Sequence, residues 1–446
     1  MTHSHRLPHW YQKGLPHIWL PYSQMQTTPH PLAAVATNGS QIFLADGRQL
    51  VDGIASWWTA CHGYNHPYIC TAVQRQLETI PHIMFGGIVH EPALHLAQRL
   101  CHRLPSPLQH VFFTDSGSVS VEVAMKMAIQ SRLNKGETQR TRILAFRGGY
   151  HGDTLGTMAV CDPEEGMHAL YGNVLTQQII SPLPCDDASF KIFNTLLERH
   201  AHTIAAILVE PLVQGAGGMR FHPPEILRTI RHAADRYDIL LILDEIFTGF
   251  GRTGTFFAHE QANIVPDIIT LSKALTGGTL ALAATIATTC VFESFLSNVP
   301  EHALMHGPTF MANPLACASA NASLDLFDTE PRLEQVAALN SFLTDALKPC
   351  RTLHGVRDIR TLGAIGVVEL DRITNLEKLR QDFIAHGCWI RPFRNIVYLT
   401  PAFTISEEEL QTLTSTIYKF SALKNKLSAK TLFPSITSKT LTIFLS

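Results

Sequence analysis

The sequence predicts an α/β protein built around a large, mostly parallel sheet, and two observations support this. Strand-like apolar runs alternate with helical patterns, and continuous apolar strands of this kind form parallel sheets covered on both faces. The runs are residues 111–113, 143–146, 204–209, 239–243 and 268–271, and the helical patterns include residues 119–131 and 224–237. At 446 residues the chain is also long enough for more than one domain.

The predicted elements divide into two domains. Residues 57–330 contain the alternating strands and helices and are expected to form the large α/β domain. Residues 1–56 and 331–446 are expected to form a smaller α+β domain, because a hairpin is indicated around Asp46 and Gly47 and short strands near residues 366–370 and 397–400. The segment after about residue 420 has no clear periodicity and is expected to be a loosely attached tail.

Composition favours small-molecule chemistry. The formal net charge is −2, so the chain has no basic surface of the kind that binds nucleic acid. Its nine cysteines are an odd number without a C-x-x-C pair, which fits neither a disulfide framework nor a zinc site and favours the cytoplasm. The most apolar stretch, residues 280–292, is shorter than the ~20 residues that a membrane-spanning helix needs. We therefore expect neither a nucleic acid nor a membrane as partner.

Two charged residues lie at the ends of predicted strands. Asp244 follows the run 239–243, and Lys273 follows the run 268–272 and opens a loop that contains two glycines. An enzyme that uses pyridoxal 5'-phosphate (PLP) needs a lysine amine to bind the cofactor and a carboxylate for its pyridinium nitrogen. Taken alone, each residue is more often a solvated loop residue or a turn former. As a pair they favour a PLP site.

Two further loops follow predicted strands. In the segment 115–118, Gly117 and Ser118 lie where a helix N-terminus could receive a phosphate, although an ordinary serine cap without a ligand has the same pattern. In the segment 148–153, Tyr150 lies between glycines and could stack on a flat cofactor ring. A structural tyrosine in a tight turn is the alternative there.

Three other patterns do not support their usual functions. The segment 249–254 matches G-x-G-x-x-G, but it does not follow its strand directly and opens no helix, so we interpret it as unrelated to dinucleotide binding. The segment 241–245 resembles the aspartate strand of a P-loop ATPase, yet the sequence has no Gly-Lys dipeptide. The 23 histidines include no H-E-x-x-H motif, and we predict no metal site.

Arg391 lies among apolar residues in the C-terminal part of the chain. A buried arginine can bind a substrate carboxylate through two parallel hydrogen bonds, or it can form an ion pair at a domain interface. The sequence pattern does not distinguish between these two roles.

A series of motifs resembles a single enzyme family. They are residues 56–58, 62–67, 115–118, 149–153, 210–219, 244–246, 249–254, 272–278, 306–311 and 390–393. In this order they resemble the adenosylmethionine–8-amino-7-oxononanoate aminotransferases (diaminopelargonic acid synthases) of biotin biosynthesis, a branch of the class-III PLP-dependent aminotransferases. The resemblance runs from about residue 21 to about residue 416. Three segments point to this branch in particular: residues 56–58, 305–311 and 389–393.

The resemblance implies a PLP-dependent enzyme of fold type I that forms a homodimer with active sites at the subunit interface. The implied reaction transfers an amino group from S-adenosylmethionine to 8-amino-7-oxononanoate by a ping-pong mechanism. Other class-III enzymes, which use ω-amino acids with pyruvate or 2-oxoglutarate, are the alternative within the family. A cofactor-binding regulator or inactive homologue is the alternative outside enzymes. The tail and residues 247 and 255–257 depart from the family pattern.

The resemblance also implies roles for individual residues. Lys273 resembles the lysine that binds PLP and moves the proton, and Asp244 the partner of the pyridinium nitrogen. The remaining cofactor contacts are Gly117 and Ser118 for the phosphate, Tyr150 for the ring, and Pro308 and Thr309 for the phosphate in the neighbouring subunit. The implied substrate contacts are Trp57, Tyr150, Lys273, Gly307, Arg391 and Tyr22. Tyr22 is also implied in catalysis, with Asp153 as its orienting partner.

Overall fold

The computed structural model describes residues 7–164 and 169–431. Within these ranges the strands are β1 Ala34–Asn38, β2 Gln41–Leu44, β3 Gln49–Asp52, β4 Leu108–Thr114, β5 Arg142–Phe146, β6 Ile179–Ser181, β7 Ile204–Val209, β8 Val213–Gln214, β9 Arg220–Phe221, β10 Leu240–Asp244, β11 Ile268–Leu271, β12 Ala283–Thr288, β13 Val356–Leu362, β14 Ile365–Leu370, β15 Cys388–Trp389 and β16 Ile396–Leu399.

The same ranges contain α-helical segments and short 3-10 turns. The α segments are α1 His9–Gly14, α2 Ala55–Trp58, α3 Pro67–Thr79, α4 Glu91–Arg103, α5 Gly117–Asn134, α6 Leu155–Met158, α7 Asp187–His200, α8 Pro224–Arg236, α9 Thr289–Glu293, α10 Pro314–Thr329, α11 Arg332–Leu347, α12 Leu376–Ala385 and α13 Glu407–Thr431. The 3-10 turns are Leu15–His17, Ala169–Tyr171, Ala201–Thr203, Ala258–Ala262, Lys273–Thr276, Pro300–His302 and Lys348–Thr352. No helix in the described ranges is long and apolar enough to cross a membrane.

A seven-stranded sheet forms the centre of the molecule, with the strand order β4-β12-β11-β10-β7-β5-β6. Strands β11, β10, β7, β5 and β6 pair in parallel, and β12 runs antiparallel to both of its neighbours. The core strands β7 and β11 are buried along their whole length, because helices cover both faces of the sheet. The predicted α/β fold with a large, mostly parallel sheet is confirmed.

The apolar runs predicted as strands correspond to β4, β5, β7, β10 and β11. The sequence does not predict strand β12. Its residues are small and include threonines, which interrupt the apolar pattern of residues 280–292. Small side chains suit its position between β4 and β11, where every residue is buried. The Thr285 hydroxyl donates a hydrogen bond to the Ser120 carbonyl oxygen at 2.7 Å, which satisfies the polar group in this interior position.

Smaller sheets combine both ends of the chain. Strands β2 and β3 form the predicted antiparallel hairpin, and β15 from the C-terminal part pairs in parallel with β3. The short strands predicted near residues 366–370 and 397–400 are β14 and β16, which pair in the sheet β13-β14-β16. Helix α13 extends to Thr431, so the predicted tail begins as helix, and residues 432–446 lie outside the described part of the chain. The boundaries of the two domains stay a prediction.

The G-x-G-x-x-G segment joins the central sheet to this smaller region. Arg252 is 1% exposed, and its Nη1 donates to the carbonyl oxygens of Pro401 at 2.8 Å and of Ala364 at 3.3 Å. Its guanidinium carbon lies 4.6 Å from the ring centre of Phe403. The segment therefore has a packing role in this fold, with the arginine as its central contact.

Two glycines that flank β13 offer a matched test of this packing. Gly355 and Gly363 have φ angles of +82° and +55°, but a Cβ at Gly355 would meet nothing within 4 Å, whereas a Cβ at Gly363 would lie 2.5 Å from the Arg252 carbonyl oxygen. We expect Gly355→Ala to lower the free energy of unfolding by about 1–2 kcal/mol, which is the usual cost of a left-handed alanine. We expect Gly363→Ala to lower it by more than about 3 kcal/mol, because backbone must also shift. Denaturant unfolding of both variants measures the difference, and equal losses would contradict the close approach.

Candidate active site

Four parallel strands of the central sheet bring polar side chains to one edge. Asp244 ends β10, and its register partner on β11 is Thr270, so that Lys273 begins the turn just beyond. Glu210 follows β7 directly, and His151 lies in the loop after β5. The carboxyl ends of parallel strands form a common edge, which is where open α/β sheets bind their ligands. The predicted pair Asp244 and Lys273 therefore lies together with two further ionisable residues.

The carboxylate of Asp244 is buried and held on both oxygens. Its Oδ2 lies 2.7 Å from Nδ1 of His151, which is itself buried. Its Oδ1 accepts hydrogen bonds from the Ile246 N–H at 3.1 Å and from the Thr270 hydroxyl at 3.4 Å. A carboxylate that is fixed in this way presents its charge in one direction, as a partner for a ring nitrogen must.

The amine of Lys273 lies between two aromatic rings. Its Nζ is 4.2 Å from the ring centre of Trp58 and 6.0 Å from that of Phe247. Burial lowers the pKa of Lys273 to about 8, although the charges of Asp244 and Glu210 act in the opposite direction. In the described ranges the amine forms no hydrogen bond or ion pair. A poorly solvated amine without a partner fits covalent attachment of an aldehyde cofactor such as PLP.

Glu210 holds the tyrosine loop against the sheet edge. Its Oε1 accepts a hydrogen bond from the Tyr150 N–H at 3.0 Å, and its Oε2 accepts one from the Gly215 N–H at 2.9 Å. Burial raises the pKa of Glu210 to about 7, the Asp244 charge adds to this, and His151 opposes it. Sequence reasoning assigned no role to Glu210 or His151, although each follows a predicted strand as Asp244 does.

The N-terminus of α5 offers a place for a phosphate. Gly117 and Ser118 are its first residues, and their N–H groups have no partner within the helix. The Ser116 hydroxyl caps the helix by accepting the Val119 N–H at 3.3 Å. The Ser118 hydroxyl accepts the Asp153 N–H at 3.2 Å, which brings the loop after β5 onto the helix end. The first turn contains no acidic residue, so the positive end of the helix dipole is uncompensated there.

Tyr22 and Tyr150 share one carboxylate. The Tyr22 hydroxyl donates to Oδ2 of Asp153, the Tyr150 hydroxyl donates to Oδ1 at 3.0 Å, and the two hydroxyl oxygens are 3.3 Å apart. Burial raises the pKa of Tyr22 to about 12, and Asp153 acts in the same direction. Both phenols therefore keep their protons at neutral pH. The ring of Tyr22 also meets that of Trp57 edge-on, with centroids 6.1 Å apart.

Arg391 is half-buried, and its guanidinium carbon lies 5.4 Å from the ring centre of Trp389. Burial lowers its pKa. We find no hydrogen bond or ion pair of this guanidinium with any described residue. The sequence left two roles open for Arg391, an ion pair at a domain interface and the binding of a substrate carboxylate. Among the described residues it has no partner for an ion pair, so a substrate carboxylate stays its predicted partner.

Gly307, Pro308 and Thr309 belong to a loop beside α5. The amine of Lys126 donates to the Met305 carbonyl oxygen at 3.1 Å and lies 3.3 Å from Nδ1 of His306, which holds the start of this loop. Gly307 and Thr309 are exposed in the single chain. Exposure is expected of residues that contribute to the site of another subunit, and that assignment stays a prediction.

Comparisons with known proteins identify the family and the fold. The family model described as aminotransferase class-III matches residues 22–420. The adenosylmethionine-8-amino-7-oxononanoate aminotransferase of Mycobacterium leprae is 45% identical, over 91% of this chain and 95% of that protein. The crystal structure of the enzyme of the same name from Methanocaldococcus jannaschii has a TM-score of 0.87 at 29% identity and covers 93% of this chain and 98% of that one. An amine transaminase from an uncultivated Pseudomonas species, solved with PLP bound, has a TM-score of 0.84 at 28% identity and covers 92% and 98%.

Proposed function

The chain belongs to the class-III aminotransferases, which depend on PLP, and we propose that it transfers the amino group of S-adenosylmethionine to 8-amino-7-oxononanoate. The product is 7,8-diaminononanoate, an intermediate of biotin biosynthesis. The observation that carries the aminotransferase chemistry is the unpartnered Lys273 amine next to the fixed carboxylate of Asp244. The identity of 45% to a relative of this name supports the choice of substrates.

PLP, when bound, supplies an electron-withdrawing ring that stabilises negative charge on the carbon attached to the amine. Lys273 would hold it covalently, and Asp244 would keep its ring nitrogen protonated. The N-terminus of α5 at Gly117 and Ser118 would receive the phosphate, and Tyr150 would pack on the ring. The free amine and the uncompensated helix end both fit such a group.

Lys273 has the second task of moving a proton between carbon atoms of the substrate and the cofactor. An amine whose pKa is about 8 is well matched to this task, because both of its protonation states are populated near neutral pH. The aromatic rings of Trp58 and Phe247 lie beside the amine and limit its contact with water.

The substrate contacts combine aromatic rings with one cation. Arg391, which has no protein partner in the described ranges, would bind the carboxylate of 8-amino-7-oxononanoate through its two-pronged guanidinium. Trp57 and Tyr22 would form the apolar wall, with Tyr22 oriented by Asp153. Tyr150 and Gly307 complete the predicted contacts.

We also infer a homodimer with shared active sites. The exposed loop that carries Pro308 and Thr309 would reach the phosphate of the neighbouring subunit. All nine cysteines are free, which supports a cytoplasmic location, and the near-zero net charge favours small molecules over nucleic acid as partners.

A second candidate function is amine transfer from an ω-amino acid to pyruvate or 2-oxoglutarate, which the similarity to the amine transaminase structure favours. The visible spectrum of the purified protein distinguishes the two. S-adenosylmethionine without an acceptor should bleach the yellow absorbance of lysine-bound PLP, and 8-amino-7-oxononanoate should restore it. Bleaching by other amines alone would favour the second candidate, and a protein that PLP cannot reconstitute would contradict both.

Lys273→Ala should lower turnover by at least about a thousandfold, because the variant lacks the amine that we propose as the proton carrier. The variant should still retain PLP non-covalently through Asp244 and the N-terminus of α5. Borohydride reduction followed by mass spectrometry should find no PLP fixed to the protein, whereas the exposed-lysine control Lys135→Ala should be labelled normally. Covalent labelling of Lys273→Ala would contradict the assignment.

Arg391→Ala should lower kcat/KM for 8-amino-7-oxononanoate by at least about thirtyfold, since losing one partner of a charged pair costs roughly 2 kcal/mol or more. The affinity for PLP should stay within about twofold. Arg391→Lys should give an intermediate loss, because it keeps the charge and loses the two-pronged geometry. The exposed Arg357→Ala serves as a control without effect. Equal losses in substrate use and PLP affinity would contradict this role.

The rate at which the apoprotein captures PLP should depend on pH. Only the neutral amine attacks the aldehyde, so the rate should rise with pH until about pH 8 and then level off. Glu210→Gln removes a negative charge that raises the pKa of Lys273, and its plateau should therefore begin at lower pH. Glu260→Gln, at an exposed carboxyl group whose pKa burial also raises, should leave the profile unchanged. Stopped-flow absorbance measures these profiles, and coincident curves for Glu210→Gln and the unmodified protein would contradict the coupling.

A further inference from the structure

Four consecutive residues in α2 have left-handed backbone conformations. The φ angles are 43° at Ala55, 50° at Ser56, 56° at Trp57 and 73° at Trp58. L-residues other than glycine normally visit this region singly, at a cost of roughly 1–2 kcal/mol each. A run of four, without any glycine, persists only where the surrounding structure fixes it.

The carboxylate of Asp52 supplies that constraint. Asp52 is buried, its Oδ1 accepts the Ile54 N–H at 2.9 Å, and its Oδ2 accepts the Ser56 N–H at 2.8 Å. The Tyr64 hydroxyl donates to the same Oδ2 at 2.5 Å. Burial raises the pKa of Asp52, and these hydrogen bonds act in the opposite direction, as they do for a carboxylate that is bound in its charged form.

The left-handed turn points two adjacent tryptophans at different parts of the site. Trp58 is 8% exposed and lies over the Lys273 amine at 4.2 Å. Trp57 is 45% exposed and meets the ring of Tyr22. The Trp58 N–H donates to the Ile54 carbonyl oxygen at 2.9 Å, which closes the turn. The backbone conformation at residues 55–58 therefore sets the distance between the reacting amine and the aromatic wall.

We propose that Asp52 is a positioning residue whose carboxylate holds the left-handed turn of residues 55–58 and thereby places Trp57 against the substrate. Asp52 lies beneath the turn, bound to its backbone, and acts through it. The inference rests on the proposed function in one respect, which is the role of Trp57 as a substrate contact.

Asp52→Asn tests the proposal with almost no change of volume. The amide can accept on one side only, so its NH₂ group faces a backbone N–H that loses its acceptor. We expect KM for 8-amino-7-oxononanoate to rise at least about tenfold while kcat changes less than about threefold, because Lys273 and Asp244 are untouched and the buried Trp58 keeps its hydrogen bond to the Ile54 carbonyl oxygen, whereas Trp57 is exposed. An unchanged KM would overturn the proposal.

Asp267→Asn is the matched control. Its carboxylate accepts the Leu241 N–H at 2.7 Å and pairs with Arg231 at 2.8 Å, just before β11 begins and therefore at the opposite edge of the sheet. This variant should lose thermal stability without the rise in KM. A similar rise in both variants would mean that Asp52 has only a structural role.

Tyr64→Phe keeps the test decisive if Asp52→Asn does not fold, and Ser56→Gly tests whether relieving the backbone strain restores Asp52→Asn. Tyr64→Phe removes one hydrogen bond of the carboxylate and should raise KM in the same direction, by a smaller factor. Ser56→Gly, at an exposed residue with φ 50° and ψ 57°, should partly rescue Asp52→Asn, since glycine adopts this conformation without strain. No change in Tyr64→Phe together with no rescue by Ser56→Gly would also overturn the proposal.

Acrylamide quenching of tryptophan fluorescence in the apoprotein gives a readout that needs no substrate. Asp52→Asn should become more quenchable, and the added Trp57→Phe substitution should abolish that increase. If the unmodified protein does not turn over the two proposed substrates, the proposed function fails, while the quenching result still decides the role of Asp52. Quenching equal to that of the unmodified protein would overturn it.

Discussion

The site depends on the burial of one amine beside two carboxyl groups. Removing Lys273 from water disfavours its charge, and the negative charges of Asp244 and Glu210 restore part of it, so that the pKa settles near 8. Each carboxyl group must in turn be satisfied, because an unpaired buried charge is strongly unfavourable. Asp244 binds His151, and Glu210 binds the backbone of the tyrosine loop. The loops after β5 and β7 are thus held in place by the same two carboxyl groups that tune the pKa of the amine at the end of β11.

The strand ends that carry this chemistry could be predicted from the sequence, but their convergence could not. Asp244 and Lys273 stand out because each follows a continuous apolar run. Glu210 and His151 follow similar runs, yet nothing in the pattern says that β7 and β5 are the next strands in the sheet. The contact of Tyr22 with Asp153 joins residues far apart in sequence, and only the family resemblance suggested it. The left-handed turn is invisible in the sequence, since alanine, serine and tryptophan have no preference for positive φ.

Two glycine-containing segments show why a motif needs its structural context. The segment 115–118 begins an 18-residue helix, whose aligned peptide dipoles and free N–H groups can receive an anion. The segment 249–254 contains more glycines but leads into turns, and its side chain of greatest consequence is the buried Arg252. Its glycines allow close packing against the smaller region, where Gly363 approaches the Arg252 backbone. Whether such a segment can receive an anion or serves in packing depends on the element that follows the glycines, and not on the glycines themselves.

Two unfavourable features of the fold lie where the substrates would enter. Arg391 is half-buried without an ion pair in the described ranges, and stacking on Trp389 offsets only part of that cost. The turn that carries Trp57 is left-handed at four residues, and hydrogen bonds to Asp52 and to the Ile54 carbonyl oxygen hold it. By contrast Arg252, which is more deeply buried, has two carbonyl partners for its Nη1 and an aromatic ring beside it, although its Nη2 has no hydrogen-bond partner in the described ranges. Arg252 is thus anchored to backbone through one nitrogen, whereas Arg391 makes no hydrogen bond or ion pair with any described residue at the proposed substrate side, as expected of a residue whose partner is a ligand.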